Sequence, residues 1–179
     1  SGGPEDIVLP FGSGTPYVNG DFKFSANFYV TSGAYFNFQA ENTPGITWAL
    51  DVGMDNGVIN FGSYAGSSWI STYLSTSYPS NQWFELSIEV DLSANSWEVF
   101  IDSISQGTFS NPVNKIASLD LYPLAGHGFY VDDVCYSYTP PTTTPCLSNE
   151  KEIIISITTD NYPTETSWQL VDQNGGGFS

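Results

Sequence analysis

Three carboxylates on one predicted strand are the first residues whose spacing suggests chemistry. Glu85, Glu89 and Asp91 are separated by even numbers of residues, so their side chains share one face of a strand. The backbones of Glu89 and Asp91 lie about 7 Å apart, and those of Glu85 and Glu89 about 13 Å apart, at ~3.3 Å per residue. Paired carboxyls that cleave glycosidic bonds lie ~5–5.5 Å or ~6.5–9.5 Å apart. Asp91, however, precedes an Asn/Ser-rich turn, where Asp commonly accepts a backbone hydrogen bond, and we therefore favour a solvated strand face.

No other set of catalytic groups stands out. The only histidine, His127, lies between two glycines at the entry to the last predicted strand, where a turn or surface role is expected. The sequence has no Gly-x-Ser-x-Gly elbow, no phosphate-binding loop and no Cys/His cluster with zinc spacing. These observations predict a protein that is not an enzyme.

The elements that would position such residues are short strands. Apolar and polar residues alternate with a period of two, as in half-buried antiparallel strands, and turn signals such as Asp55-Asn56-Gly57 separate the runs. This pattern predicts an all-β sandwich or barrel. The alternating runs span residues 22–30, 34–40, 46–54, 58–61, 69–74, 83–92, 97–101, 116–121 and 128–138.

The pattern breaks after Tyr138. Residues 139–145, Thr-Pro-Pro-Thr-Thr-Thr-Pro, indicate an extended linker because proline cannot donate to a sheet. We therefore predict a β-sandwich over residues 1–138, the linker, and a short β segment over 146–179. That last segment is too short to bury its own core, so it is either a docked hairpin or the start of a second β domain.

Composition restricts the kinds of partner that the chain is expected to bind and the cellular compartment in which it is expected. The formal net charge is −16, with three basic residues in 179; this excess repels nucleic-acid phosphates, so we expect no nucleic-acid partner. No apolar run approaches the ~20 residues of a membrane span, so we expect no membrane insertion. A chain solubilised by Ser, Thr, Asn and Gly rather than by Lys is typical of extracellular β-proteins, and we predict that it is secreted or on the cell surface. In that compartment Cys135 and Cys146 are expected to form a disulfide, the alternative being two unrelated thiols.

Three passages between Asp6 and Tyr138 resemble the concanavalin A-like lectin/glucanase superfamily, including its LamG-like accessory modules in large secreted bacterial proteins. The resemblance implies a jelly-roll of two antiparallel sheets. The closing strand is similar to the "VDYVRVY"-like last strand of family 16 glucanases. The passages are EDIVLPFG with GDFKFSANFYV, NQWFELSIEVDLSANSWEVFID, and HGFYVDDVCYSY.

The glucanases of this superfamily carry Glu-x-Asp-x-x-Glu, with one Glu as nucleophile and the other as acid/base. Glu89 and Asp91 match the first two carboxylates, but Ala94 replaces the last. The departure supports a non-catalytic module.

The resemblance also implies a structural calcium that ties the first strand to the last. Calcium prefers six to eight oxygen ligands. Asp132 and Asp133 occupy the closing strand, and Glu5 and Asp6 are expected beside them. Only one of the adjacent aspartates should ligate, because neighbouring side chains point to opposite faces; the alternative is an Asp that caps backbone amides. A second acidic stretch, residues 51–57, is interpreted as a hairpin turn.

Sugar-binding modules stack aromatic rings on pyranose faces. Trp69, Tyr73, Tyr64 and Tyr78 lie in a stretch rich in Ser and Thr whose composition fits a recognition surface, although half or more of such rings must form the core. The leading hypothesis is therefore a carbohydrate-binding or adhesion module whose partner is a glycan or a cell-surface protein, beside other domains of its parent chain. The alternatives are a structural or protein–protein module and a divergent glycoside hydrolase.

Overall fold

The computed structural model describes residues 7–12 and 14–141. Eleven β-strands make up most of this part of the chain. They are β1 (Ile7–Pro10), β2 (Asp21–Val30), β3 (Ala34–Gln39), β4 (Trp48–Asp55), β5 (Val58–Ala65), β6 (Ser68–Ser77), β7 (Trp83–Asp91), β8 (Ser96–Ile101), β9 (Ile104–Phe109), β10 (Ser118–Leu121) and β11 (Phe129–Thr139).

The strands form two sheets in which every pairing is antiparallel. The six-stranded sheet has the order β1-β10-β3-β4-β5-β6, and the five-stranded sheet has the order β11-β2-β7-β8-β9. The predicted all-β, two-sheet jelly-roll sandwich is confirmed. Most of the predicted linker and all of segment 146–179 lie outside the described residues. Among the residues that the structure describes, there is no helix long and apolar enough to cross a membrane.

Alternation along the central strands builds the core between the sheets. On β2 the even-numbered residues from Phe22 to Val30 are buried, and on β3 Phe36 and Phe38 are fully buried. The ring centroids of Phe28 and Phe36 lie 5.4 Å apart, which packs one sheet directly on the other. Burying each such ring contributes about 1.5–3 kcal/mol. The sandwich is therefore held by aromatic contacts between β2 and β3.

The predicted turns position the hairpins. Asn56 and Gly57 both have positive φ, 49° and 78°, between β4 and β5. This is the conformation that an Asn-Gly hairpin turn requires, so the predicted turn at residues 55–57 is confirmed. The interpretation of all of residues 51–57 as a hairpin turn is too wide, because residues 51–54 belong to β4.

Two strands, β1 and β9, lie outside the predicted alternating runs, and β9 has no clear signal in the sequence. β9 pairs with β8 through a register shift and carries Gly107 at φ 131°. Its first residue, Ile104, is 67% exposed. The turn before it uses Asp102 and Ser103 at positive φ, and neither residue is a glycine. Alternation and turn chemistry are both weak here, because an edge strand buries little.

A truncation in the core tests the contact between the sheets. Phe36→Ala removes a fully buried ring that touches Phe24 and Phe28, and should lower the free energy of unfolding by about 3–5 kcal/mol. Ile70→Ala is the matched control, since Ile70 is 66% exposed and its loss should cost less than about 0.5 kcal/mol. Urea unfolding measures both, and equal effects would contradict this packing.

A groove on the outer face of the six-stranded sheet

A groove of about 530 Å³ lies on the face of the six-stranded sheet that points away from the core. Strands β10, β3, β4 and β5 form its floor, and the β3–β4 loop and the segment after β10 supply its sides. Its size is that of a small-ligand site. The lining residues are Tyr35, Asn37, Pro44, Gly45, Trp48, Tyr64, Ala65, Gly66, Asp120, Tyr122 and Leu124.

The floor holds a row of polar residues that are buried although they face outward. Asp120 on β10 pairs with Asn37 on β3, which pairs with Asp51 on β4; each is at most 6% exposed. The β3–β4 loop lies over the end of the row, where the amide of Gly45 donates to Gln39 Oε1 at 3.0 Å. Gln39 Nε2 in turn donates to Asn37 Oδ1. Polar groups out of water need such partners, so the row is held in one arrangement.

Asp51 fixes the hydroxyl of Tyr35 and the backbone of Tyr64. Its Oδ1 accepts a hydrogen bond from the hydroxyl of Tyr35 at 2.5 Å, and its Oδ2 accepts one from the backbone amide of Tyr64 at 2.7 Å. Burial raises the pKa of the Asp51 carboxyl, and these two hydrogen bonds partly oppose that rise. Burial first, and then the hydrogen bond to Asp51, raises the pKa of Tyr35. Tyr35 therefore stays protonated and donates, and Asp51 is a positioning residue.

Four rings form a continuous aromatic wall across the outer face. Tyr122, Tyr35, Tyr64 and Trp69 follow one another with centroid separations of 6.3, 5.6 and 5.4 Å. Gly53 makes room for the last ring, because a Cβ there would lie 2.9 Å from Trp69 Cζ2. The rings are inclined at 50–80° to one another, which is a favourable aromatic geometry.

Trp48 at the start of β4 adds an exposed ring to the lining of the groove and is 47% exposed. The groove thus combines ring surface with amide and carboxylate oxygens.

The four aromatic residues singled out in the sequence separate into two pairs. Tyr64 and Trp69 belong to the aromatic wall. Tyr73 packs instead against Phe109 and the core cluster. Tyr78 is 7% exposed and contacts Phe84. The assignment of Tyr73 and Tyr78 as ligand contacts is therefore corrected to core packing.

Sequence reasoning misses most of the groove. In the sequence, Tyr35, Asn37 and Trp48 indicate only strands, and Asp51 indicates part of an acidic turn. A signal is present: on β3 and β4 the polar positions between buried residues are Asn, Gln and Asp, whereas a solvated face usually carries Ser, Thr, Lys or Glu. Nothing in the sequence indicates that a loop buries that row.

The carboxylates of the glucanase-like motif lie on the other side of the sandwich, on the outer face of the five-stranded sheet. Glu89 forms an ion pair with Lys23 at 2.7 Å. Asp91 Oδ1 accepts a hydrogen bond from the amide of Ala94 at 2.8 Å, which confirms that Asp91 caps its own turn. His127 also serves a turn, since its amide donates to the carbonyl of Leu124.

The aspartates assigned to calcium occupy a bulge in β11. Asp132 Oδ1 accepts a hydrogen bond from the amide of Asp133, and Asp133 Oδ2 accepts one from Asn27 Nδ2. Glu5 and Asp6 lie outside the described residues, and no group of three metal-ligating side chains occurs within the part of the chain that the structure describes. Two carboxylates alone are too few for calcium, so the described residues do not fit the ion by themselves and the site stays a prediction.

The predicted disulfide is likewise untested. Cys135 is an exposed residue of β11, and Cys146 lies outside the described residues. The pairing stays a prediction.

Comparison with known proteins identifies the fold. No protein-family model and no curated sequence matches the chain, whereas solved structures do. A sheep galectin-11 complex with glycerol is 13% identical, with a TM-score of 0.52 over 76% of this chain and 99% of that one. The Caenorhabditis elegans galectin LEC-6 is 14% identical, with a TM-score of 0.53 over 77% and 93%. Carbohydrate-binding module CBM66 from Bacillus subtilis is 10% identical, with a TM-score of 0.53 over 73% and 81%. The resemblance to concanavalin A-like lectins is thus confirmed as a likeness of fold.

The raised pKa of Asp51 predicts a pH dependence of stability. A carboxyl whose pKa is higher in the folded state stabilises the fold below its unfolded pKa of about 3.9, and this contribution is lost as the pH rises through the folded pKa. The difference in unfolding free energy between wild type and Asp51→Asn should therefore fall from pH 3 to pH 7, because the amide introduced by the substitution cannot titrate. Urea unfolding at a series of pH values measures it. A difference that rises with pH would contradict the burial of Asp51.

A thermal experiment tests the calcium site. If Glu5 and Asp6 complete it beside Asp132, the unfolding midpoint should be higher in calcium than in chelator, because an ion that binds only the native state stabilises it. Asp132→Asn should abolish the difference. Equal midpoints for the wild type would exclude the site.

Proposed function

We propose that the groove on the six-stranded sheet binds carbohydrate, and that the chain is a non-catalytic carbohydrate-binding or adhesion module of a multidomain secreted or cell-surface protein. The observation that carries the proposal is the joining of an aromatic wall to a floor of amide and carboxylate oxygens. A pyranose presents apolar C–H faces that pack on rings, and hydroxyls that hydrogen-bond to such oxygens. Galectins and a module named for carbohydrate binding share the fold, which supports the choice.

The arrangement of carboxylates favours binding over cleavage. Asp51 and Asp120 lie two strands apart, about 9.5 Å between backbones, which is near the separation used by inverting glycosidases. Both oxygens of Asp51 already accept hydrogen bonds from this chain, so the residue is held as a support for Tyr35 and Tyr64. We therefore expect bound oligosaccharides to remain intact, and release of reducing ends would favour a divergent hydrolase.

A second candidate, a protein–protein module, is favoured by a different observation. Tyr130, Tyr29 and Trp83 stand in register across β11, β2 and β7 on the outer face of the five-stranded sheet. Tyr130 is 63% exposed and Trp83 is 52% exposed. Tyr and Trp are enriched at protein interfaces. The two proposals therefore assign function to opposite faces, which makes them separable by substitution.

Paired tryptophan variants provide that separation. Trp48→Ala removes an exposed ring of the groove and should weaken binding to glycans found on an array by at least about tenfold, since buried aromatic anchors dominate recognition. Trp83→Ala is the matched control, with a similar exposure on the opposite sheet, and should bind glycans as the wild type does. Titration calorimetry measures affinity, and unchanged unfolding midpoints show that both variants fold.

Each other outcome has a definite meaning. Loss of glycan binding in Trp83→Ala but not in Trp48→Ala would place the site on the five-stranded sheet. No binding by the wild type to any glycan would refute the carbohydrate proposal.

A further inference from the structure

The acidic and basic side chains around the groove bear on which class of glycan it would accept. Asp120 is the one acidic residue among those that line it. A second acidic residue, Asp51, lies two strands further along the row of polar residues, where it accepts hydrogen bonds from the hydroxyl of Tyr35 and from the backbone amide of Tyr64. None of the described lining residues is Lys, Arg or His. A ligand in the groove therefore meets acidic side chains and amide oxygens, and no basic side chain among the described lining residues.

The lysines of the described residues form ion pairs with carboxylates that do not line the groove. The three basic residues of the sequence are Lys23, Lys115 and Lys151. Lys23 binds Glu89 on the five-stranded sheet. Lys115 holds both carboxylate oxygens of Glu41, at 2.9 and 3.1 Å. Lys151 lies outside the described residues. No cation in the described part of the chain is thus available to neutralise an acidic sugar in the groove.

We propose, on the basis of the proposed function, that the groove selects neutral glycans and rejects sulfated, sialylated and uronic-acid glycans. A neutral sugar donates its hydroxyl hydrogens to the carboxylate and amide oxygens and places its apolar face on the rings. An acidic group in the same position loses hydration without gaining a partner of opposite charge, and like charges across an interface suppress the wrong ligand. The net charge of −16 adds repulsion at long range.

Glycan pairs in which the acidic member carries an added acidic group or sugar test the selection. We would print lactose beside 3′-sulfolactose and 3′-sialyllactose, N-acetyllactosamine beside its 6-sulfate, and cello-oligosaccharides beside β-1,4-linked oligoglucuronates. Every bound glycan should be neutral, with its acidic counterpart at least about tenfold weaker, and 1 M salt should narrow that gap by screening. An acidic glycan bound as tightly as its neutral parent overturns the selection but leaves carbohydrate binding standing. No binding to any glycan overturns the proposed function and this inference together.

A positive charge added at the edge of the groove tests whether the groove itself rejects acidic glycans. Ala65 is an exposed lining residue at the end of β5, and Ala65→Lys should strengthen binding of the acidic counterparts about threefold or more, since it supplies the missing cation. Ile104→Lys makes the same change in net charge at an exposed position on the five-stranded sheet and should leave the preference unchanged. Equal effects of the two variants would mean that overall charge, and not the groove, rejects acidic glycans.

Discussion

The hydrogen bonds of one buried carboxylate organise the outer face of the six-stranded sheet. Asp51 accepts hydrogen bonds from the hydroxyl of Tyr35 and from the backbone amide of Tyr64, and so fixes the ring of Tyr35 and the backbone that carries the neighbouring ring of the aromatic wall. Ionising a carboxyl group that is 1% exposed costs free energy. The hydrogen bonds from Tyr35 and from the amide of Tyr64 offset part of that cost. The arrangement therefore couples the position of the rings to a single polar residue. Without it, two donors would be left without partners in a place that water reaches poorly.

The outward-facing polar residues are exposed on one sheet and buried on the other, because loops cover only one of the two outer faces. On the five-stranded sheet the polar residues face solvent. Glu89 forms an exposed ion pair, which contributes little to stability, and Asp91 caps a turn. On the six-stranded sheet the β3–β4 loop and the residues after β10 rise beside the strands, and the same alternation then buries Asn37 and Asp120. The same fold thus has one outer face that is open to solvent and one outer face that carries the groove.

The division between what the sequence predicted and what it missed has a physical reason. Alternation along β2 and β7 and the Asn-Gly turn depend on neighbours within a few residues, so strands, hairpins and the two-sheet architecture could be predicted. β9 was not predicted because an edge strand that contains Gly107 buries few side chains. The groove depends on which strands become neighbours. β10 lies beside β3 although about eighty residues separate them, and that pairing brings Asp120 to Asn37. Composition alone could not separate Tyr64, which lines the groove, from Tyr78, which lies in the core.

The central claim is that the outer face of the six-stranded sheet is where ligand binds, and the indole N–H signals of the tryptophans report on it directly. Trp48 and Trp69 lie on that face, whereas Trp83 lies on the opposite face and Trp97 is fully buried. In an NMR titration with a neutral oligosaccharide bound by the protein, the signals of Trp48 and Trp69 should shift with a common affinity, and those of Trp83 and Trp97 should stay in place. Shifts confined to Trp83 would contradict the account.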